Sequence, residues 1–234
     1  MAETKVALIT GGSSGIGLAA ARGLLDCGFT VALAARNSER LDRAAAELEA
    51  GDNVRIQAAD VGDPDRAAGL VEEVVEHHGR LDVLVNNAGA VFNKPLAEHT
   101  IEDWRATIDV NTTSVLATTR AAWPTFKHQK SGVVINISSM AAKDPFPGLG
   151  VYGAAKAAVN MLTLVTAREG AKLGIKAVAI GPGAVETPML RSIFSEKQVP
   201  ASAALSPEKV AELVCACATG ERSFKPGEVI YITR

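Results

Sequence analysis

The chain has 234 residues, of which 47% are hydrophobic and 21% are charged, and its formal net charge is −2. These values fit one large α/β domain with an ample core. Lysine and arginine are spread along the chain, which argues against a nucleic-acid-binding surface. No apolar run approaches the length of a membrane span, and glycines come too early in the N-terminal segment for a signal sequence. We therefore expect a cytoplasmic protein with no nucleic-acid or membrane partner.

Three cysteines, Cys27, Cys215 and Cys217, limit the redox and metal chemistry. Three cysteines cannot all pair internally, and Cys215 and Cys217 lie two apart on a predicted helix, where they point away from each other. A metal site needs more ligands at a workable spacing. The sequence predicts buried free thiols and no bound metal.

A glycine-rich loop joins the first predicted strand, Lys5–Thr10, to a helix that runs to about Cys27. Glycine lets backbone N–H groups approach phosphates closely, and the N-terminus of a helix supplies partial positive charge. The spacing from Gly11 to Gly17 is G-x-x-x-G-x-G rather than G-x-G-x-x-G. Strand, glycine loop and helix in this order favour a pyrophosphate site.

The second predicted strand, Phe29–Ala35, is followed by Arg36 at the place where an acidic residue would bind a ribose 2′-hydroxyl. Arginine suits a 2′-phosphate instead, because its planar guanidinium bonds two oxygens at once. We therefore predict NADP(H) rather than NAD(H). The alternative is that Arg36 is an ordinary residue of a surface loop.

Strands and helices alternate along the rest of the chain. The further predicted strands are Val54–Ala58, Leu81–Val85, Val133–Ile137, Ile175–Ile180 and Val229–Thr233. The further predicted helices are Asn37–Ala50 with Ser38 as N-cap, a helix from its cap Asp63 to about His78, Ile101–Lys127 interrupted by Pro124, Tyr152–Leu173, and Pro207–Ala218 with Ser206 as N-cap. This order predicts a single Rossmann-like domain over residues 1–234, with a doubly wound, mostly parallel seven-stranded sheet and helices on both faces.

Ligands of such a sheet bind at the carboxyl ends of its strands, and several polar segments leave strands at that edge. Asp60 is placed either to accept a hydrogen bond from an adenine amino group or to cap the next helix, for which Asp63 is the better candidate. The run Asn86–Gly89 can brace a neighbouring loop and admit a ribose. Asn111 lies in a poor helix-forming run, which indicates either a polar kink that binds water or an ordinary irregularity.

The turn at Pro182 and Gly183 brings Thr187 and the backbone near Val185 toward an amide-bearing ligand. Residues 189–205 have weak periodicity and mixed polarity, and we predict that they form a mobile substrate flap.

Tyr152 and Lys156 stand four residues apart on an Ala-rich predicted helix, so their side chains share one face. An adjacent ammonium favours phenolate, and we expect it to lower the phenol pKa from about 10 toward working pH. Ser139, at the end of the preceding strand, adds a hydroxyl. The Tyr–Lys spacing alone also occurs on solvated helices; the convergence of all these segments at one sheet edge favours proton-transfer chemistry.

These motifs resemble the short-chain dehydrogenase/reductase family, in its shorter single-domain type, over essentially the whole chain. The resemblance rests on six sets found in order: Thr10-Gly11-x-x-x-Gly15-x-Gly17, Asn86-Asn87-Ala88-Gly89, Asn111, Ser139, Tyr152-x-x-x-Lys156, and Pro182-Gly183 through Thr187. It implies an NADP(H)-dependent oxidoreductase that transfers a hydride between the nicotinamide and a carbonyl or secondary alcohol.

The resemblance also implies a role for each matching residue. Ser139, rather than Ser138, would bond the substrate oxygen, and Tyr152 would exchange a proton with it. Lys156 would hold the nicotinamide ribose and depress the tyrosine pKa, and Asn111 would anchor a relay water. The implied cofactor-binding residues are Gly11, Ser13, Ser14, Gly15, Ile16 and Gly17 around the phosphates, Arg36 at the 2′-phosphate, Asp60 and Val61 at adenine, Asn87, Ala88 and Gly89 near ribose, Tyr152 and Lys156, and Pro182, Gly183, Val185 and Thr187 toward the carboxamide.

Relatives in this family usually pair through two long helices, which implies a homodimer or homotetramer. The chain departs from the family pattern at Gly181, where many relatives have Asn, and at Ser14, where some NADP-using relatives have a basic residue. Reduction of a 3-oxoacyl thioester and of a small ketone or sugar are both compatible with the sequence.

Two side-chain groups near these motifs have open roles. Lys143 and Asp144 either face substrate or are merely solvated. Phe92, Phe146 and Met189 form either an apolar wall of the cleft or part of the core.

Two competing functions remain at this point. One is an NADP-binding sensor or scaffold protein without turnover, which loss of Tyr152 or Lys156 would have favoured. The other is a sugar-nucleotide epimerase, which shares the Tyr-x-x-x-Lys arrangement but needs a larger substrate domain than this chain holds.

Overall fold

The computed structural model describes residues 4–234, in which seven short apolar runs form one sheet. The strands are β1 (Val6–Thr10), β2 (Thr30–Ala35), β3 (Val54–Ala58), β4 (Val83–Asn86), β5 (Gly132–Ile137), β6 (Ile175–Pro182) and β7 (Val229–Ile232). They lie in the order β3-β2-β1-β4-β5-β6-β7, and every pair is parallel. The order reverses between β1 and β4, so the crevice at their carboxyl ends is the expected ligand position.

Eight α-helices cover this sheet within the described residues: α1 (Gly15–Asp26), α2 (Ser38–Leu48), α3 (Pro64–His78), α4 (Ile101–Ile108), α5 (Ser114–Gln129), α6 (Gly150–Gly170), α7 (Pro188–Ile193) and α8 (Pro207–Thr219). Successive residues of a strand point to opposite faces, so β1 contributes to two cores. Ile9 packs with α1, α2 and α8, whereas Leu8 packs with α3, α5 and the end of α6. The predicted doubly wound sheet is therefore confirmed, and it is fully parallel.

Capping side chains set several helix starts. Asp63 accepts hydrogen bonds from the backbone of the first turn of α3, and Ser206 does so for α8, both as predicted. The predicted cap of α2 is wrong by one residue. Asn37 Oδ1 accepts from Arg40 N at 2.8 Å, and Ser38 is the first helical residue.

The long helix predicted over Ile101–Lys127 is interrupted in the run around Asn111, where the sequence indicated a kink or an irregularity, and not at Pro124. A π-helical segment, Asp109–Thr113, separates α4 from α5, and α5 continues through Pro124 to Gln129. The fully buried ring of Phe126 anchors the last turn, because Gly132 offers it an open surface: a Cβ there would lie 2.3 Å from the ring. Packing thus outweighs the one helical hydrogen bond that Pro124 removes.

The thiols differ from the prediction in their burial. Cys217 is buried and Cys215 is partly buried, but Cys27 is exposed at the end of α1, and all three are free. None of the helices in residues 4–234 combines the length and the apolarity that a membrane span requires.

A buried array of polar side chains joins β4, β5, α5 and α6. Asn86 Nδ2 donates to Asn136 Oδ1 at 2.9 Å, and Asn136 Nδ2 donates to Thr163 Oγ1 at 2.8 Å. Thr118 Oγ1 donates to Asn86 Oδ1 at 2.7 Å. Buried polar groups persist only when they are bonded, so this array fixes two helices to two neighbouring strands in one register.

The substitution Asn136→Ala tests this array. It leaves the Asn86 amide and the Thr163 hydroxyl without their shared partner in a dry interior. We expect the free energy of unfolding in urea to fall by about 3 kcal/mol. Asn53→Ala, at an exposed turn, is the matched control and should change it by less than about 0.5 kcal/mol. Equal effects of the two variants would contradict the assigned importance of the array.

Candidate active site

The glycine loop after β1 is shaped by contacts that exclude side chains. Gly11 and Gly15 have φ angles of +67° and +55°, which favour glycine. A Cβ at Gly17 would lie 2.4 Å from Gly11 O and 2.6 Å from Asn87 Nδ2. Because those contacts involve backbone as well as side chain, the loop cannot relax around a larger residue. The exposed backbone at the start of α1 fits an anionic pyrophosphate.

Asn87 braces this loop, as the sequence predicted for its segment. Its Nδ2 donates to Thr10 O and to Gly11 O, both at 3.0 Å. In the opposite direction, Thr10 Oγ1 accepts hydrogen bonds from the backbone N–H groups of Asn87 and Ala88, both at 3.1 Å. The Asn87 amide donors therefore serve the loop, and its implied ribose contact stays a prediction. Sequence reasoning noted Thr10 only as part of the motif and missed this bracing role.

The neighbouring strands β2 and β3 place their predicted cofactor residues at the same edge. Arg36 follows β2 and is exposed. Asp60 is also exposed beyond β3, and its Oδ1 accepts from Gly62 N at 2.9 Å. Val61 is only 5% exposed and packs in the core, so any contact with an adenine would be made by its backbone.

Ser139 and Tyr152 meet beyond the end of β5. The Ser139 side chain lies close enough to the Tyr152 phenol to lower its pKa, and its Oγ accepts from Ala141 N at 3.1 Å. Ser138, by contrast, is 2% exposed and donates to Lys156 O at 3.4 Å. The geometry therefore agrees with the preference for Ser139 as the residue that faces the cleft.

Lys156 is buried beneath the tyrosine, with 3% of its surface exposed. Its Nζ donates to Ile137 O at 2.8 Å and lies 5.7 Å from the centroid of the Tyr152 ring. Burial disfavours an ammonium, and it lowers the pKa of Lys156 from 10.5 to about 8.

The expected depression of the tyrosine pKa is not found in the protein alone. Burial raises the pKa of Tyr152 to about 12, and the nearby Ser139 side chain opposes this rise only in part. The physical reason is that desolvation outweighs the nearby groups, and Lys156 directs its ammonium to Ile137 O. Tyr152 is therefore a neutral phenol at neutral pH.

Asn111 occupies the π-helical segment and is completely buried. Its Nδ2 donates to Ala90 O at 2.7 Å and to Thr107 O at 2.9 Å. Its Oδ1 is buried with no hydrogen-bond partner among the described residues. A Cβ at Gly89 would lie 2.9 Å from this oxygen and 3.8 Å from Lys156 Nζ, so the unpaired acceptor and the ammonium border the same gap.

The turn after β6 returns to the glycine loop. Thr187 caps α7 by accepting from Leu190 N at 3.2 Å, and its Oγ1 donates to Val185 O at 3.1 Å. A Cβ at Gly15 would lie 2.9 Å from Thr187 Cγ2. Beside Pro182, Gly183 N bonds Ile232 O of β7 at 2.8 Å. The two loops that were predicted to flank a dinucleotide are thus in contact.

The predicted flap, residues 189–205, contains most of α7 and a bridge between Leu205 and Val185. Phe146 is 71% exposed and Met189 is 36% exposed, which favours the cleft wall over core packing for these two side chains. A cavity of about 670 Å³ lies beside α8 and touches the flap at Leu205, and one of about 300 Å³ lies beside β3.

A parallel, doubly wound sheet with a glycine loop, a buried lysine and a Ser–Tyr pair at its carboxyl edge defines a nucleotide-binding oxidoreductase. The family model for short chain dehydrogenases matches residues 5–198. The chain belongs to this family.

Its relatives agree with this class. An uncharacterized oxidoreductase of Staphylococcus aureus (strain USA300) is 34% identical over 96% of this chain and 95% of its own length. Among solved structures, ElxO with NADP bound is 31% identical, with a TM-score of 0.89 over 98% of this chain and 97% of that one.

Two reductases are similar in structure to the same degree. A 3-ketoacyl-(acyl-carrier-protein) reductase from Brucella melitensis complexed with NADH is 29% identical, with a TM-score of 0.91 over 100% and 98% of the two chains. A variant of the actinorhodin polyketide ketoreductase with NADPH is 32% identical, with a TM-score of 0.91 over 98% and 96%. Structural relatives of this chain therefore hold NADP, NADPH or NADH.

The lowered pKa of Lys156 predicts a dependence of stability on pH. Between about 8 and 10.5 the unfolded chain binds more protons at this residue than the folded protein does. The free energy of unfolding contributed by Lys156 therefore rises with pH across this window. Relative to Lys156→Met, which cannot titrate, the wild-type protein should gain stability in urea denaturation as pH rises through it.

Lys127→Met, at an exposed position of α5, is the control and should give a curve parallel to the wild type. Parallel curves for wild type and Lys156→Met would contradict the lowered pKa. The raised pKa of Tyr152 acts with the opposite sign between about 10 and 12, which overlaps the upper end of this window. Wild type and Lys156→Met both keep Tyr152, so its contribution cancels in the difference.

Proposed function

We propose that the protein is an NADP(H)-dependent oxidoreductase that transfers a hydride between the nicotinamide and a carbonyl or secondary alcohol. The observation that carries this proposal is the cluster of Ser139, Tyr152 and Lys156 with the unpaired acceptor of Asn111 beside it. Clusters of buried titratable groups with shifted pKa values are typical of catalytic sites. The relatives solved with NADP and NADPH support the cofactor.

The cofactor would lie across the carboxyl edge of the sheet, where the glycine cradle fits its pyrophosphate. We assign the phosphates to Gly11, Ser13, Ser14, Gly15, Ile16 and Gly17, the 2′-phosphate to Arg36, adenine to Asp60 and Val61, the riboses to Asn87, Ala88, Gly89, Tyr152 and Lys156, and the carboxamide to Pro182, Gly183, Val185 and Thr187. Bound there, the nicotinamide supplies or accepts the hydride.

Ser139 and Tyr152 act on the substrate oxygen. As the oxygen gains negative charge, the Ser139 hydroxyl bonds it, and the phenol of Tyr152 donates its proton to it. A neutral phenol with a pKa of about 12 is in the correct state to donate in the reductive direction. In oxidation the same oxygen would return its proton to Tyr152.

Lys156 and Asn111 restore the proton that Tyr152 gives up. The phenolate formed at Tyr152 is stabilised by the Lys156 ammonium across a poorly hydrated gap. A lysine pKa of about 8 lies close to working pH, so Lys156 can both carry and release a proton. The Asn111 oxygen would hold the water that relays protons to it, because a buried acceptor needs a donor.

The substrate is proposed to be a ketone. The two solved relatives named as ketoreductases support this class, and the exposed Phe146 and Met189 offer an apolar wall for it. Residues 189–205 would form the flap that covers the bound substrate. A cytoplasmic location stays a prediction.

The assembly is proposed to be a homodimer or homotetramer formed through α5 and α6. Leu116 is 53% exposed on α5, and Met161 and Val165 are 60% and 39% exposed on α6. These apolar side chains are costly to leave in water, and pairing of the two long helices would bury them.

The variant Tyr152→Phe tests the reaction. Loss of the phenolic hydroxyl removes the proton donor, so we expect turnover of NADPH with a panel of ketones, sugars and 3-oxoacyl thioesters to fall by about 100-fold or more. The dissociation constant for NADPH, measured by fluorescence, should stay within about threefold, since the ring is kept. Undiminished turnover in this variant would contradict the mechanism. Tight NADPH binding by the wild-type protein without turnover on the panel would favour a sensor.

The variant Arg36→Ala tests the cofactor. One lost charge-assisted contact with the 2′-phosphate should weaken NADPH binding by about tenfold or more. NADH binding should not change, because it lacks that phosphate. Arg43→Ala, which removes an exposed arginine on α2, is the control. Equal affinities of the Arg36 variant and the wild type for NADPH would argue that Arg36 is only a loop residue.

A further inference from the structure

The chain has two tyrosines: Tyr152 lies on α6, Tyr231 bonds α6 from outside, and the mechanism above uses only the first. Tyr231 comes from β7, and its hydroxyl accepts a hydrogen bond from Asn160 Nδ2 at 3.2 Å. Asn160 stands four residues after Lys156 and eight after Tyr152, so the three side chains share one face of α6. Tyr231 is thereby joined to the helix face that carries the reacting groups.

The ring of Tyr231 occupies space that exists because residue 181 is glycine. Gly181 and Tyr231 are register partners in the parallel pair β6–β7. A Cβ at Gly181 would lie 2.7 Å from Cδ1 and 2.8 Å from Cε1 of the ring, closer than carbon atoms pack. The same Cβ would lie 3.6 Å from the carbonyl carbon of Ser139. The ring therefore lies in a slot that the Ser139 peptide borders.

A second contact ties the ring to the segment after Ser139. Ser139 caps a 3₁₀ turn, Met140–Ala142, and Lys143 follows it directly. Lys143 Nζ lies 5.5 Å from the centroid of the Tyr231 ring, within the range of an attractive cation–π contact. One aromatic side chain thus touches the segment that carries Ser139 and bonds the helix that carries Tyr152.

We propose that Tyr231 is a positioning residue: its ring, seated on Gly181, and its hydroxyl, bonded to Asn160, fix the separation between Ser139 and Tyr152. The inference rests on the proposed function, because this separation affects a rate only if both groups meet the substrate. Misplacement by about 1 Å can cost on the order of a hundredfold in rate without weakening binding. The glycine loop and Arg36, where most of the cofactor would bind, belong to other strands.

Four variants test the positioning role: Tyr231→Ala, Tyr231→Phe, Gly181→Ala, and the double variant with alanine at both positions. Tyr231→Ala and Gly181→Ala should each lower kcat by about tenfold to a hundredfold, with the NADPH dissociation constant within about twofold. Tyr231→Phe keeps the ring and should lose less. The double variant should lose less than the product of the single losses, because removal of the ring makes room for the new Cβ.

Gly69→Ala is the matched glycine control. It lies in α3, where a Cβ would meet no atom within 4 Å, and it should keep the wild-type rate. Gly181, like Gly69, does not have a positive φ, so alanine is free of backbone strain at both positions.

A second measurement needs no turnover. Tyrosine labelled with ¹³C at Cζ gives two resonances, which Tyr152→Phe and Tyr231→Phe assign. Gly181→Ala should shift the resonance of Tyr152 as well as that of Tyr231, because the displaced ring pulls on Asn160 and hence on α6. Gly69→Ala should shift neither.

The outcomes separate the inference from the function on which it rests. The positioning role would be overturned by an unchanged kcat in Tyr231→Ala, or by a Tyr152 resonance that Gly181→Ala does not shift. A kcat loss matched by an equal loss of NADPH-binding sites would also overturn it, since that pattern indicates misfolding. If Gly181→Ala shifts both tyrosine resonances but the wild-type protein turns over nothing on the panel, the proposed reaction is refuted and the coupling between Tyr231 and Tyr152 stands.

Discussion

The site depends on one buried hydrogen bond, from Lys156 Nζ to the carbonyl of Ile137. This bond ties α6, the helix that carries Tyr152 and Lys156, to the last residue of β5, directly before Ser138 and Ser139. It also satisfies one donor of a cation that water cannot reach, which allows the lysine to stay buried with a pKa of about 8. The Asn86–Asn136–Thr163 array holds the same strand and helix one step deeper, so the two contacts fix α6 at two points.

The other constraint is steric. Several positions of the site are glycine because a neighbouring backbone or side chain lies too close for a Cβ atom. Gly17 faces the carbonyl of Gly11, Gly89 separates Asn111 from Lys156, and Gly181 admits an aromatic ring. Each glycine packs against a different group, so the effect of a substitution differs from one position to the next. The result is a rigid edge on which the backbone proposed to bind phosphate and the side chains proposed to carry protons hold fixed relative positions.

The sequence predicted the fold because hydrophobic runs, glycines and caps are local signals, and the seven strands lie where those signals placed them. The preference for Ser139 over Ser138 came from the family resemblance, and its catalytic role stays a prediction. The sequence marked the run around Asn111 as a kink or an irregularity, but not as a π-helical segment in which the Asn111 amide bonds Ala90 O, twenty-one residues away. It misjudged the pKa of Tyr152, because burial is a property of the whole fold. The contact between Gly181 and Tyr231 escaped it for the same reason, since strand register is not local.

The strand order has a consequence for the assembly of the chain during its synthesis. β1 lies between β2 and β4, and Val6 N also bonds the side chain of Asp82. β1 therefore keeps one unpaired edge until more than a third of the chain has been made. A β1–β3 fragment would expose backbone donors and the apolar side chains that α5 later covers. The nascent N-terminal third is thus open to pairing with other chains until β4 has been made.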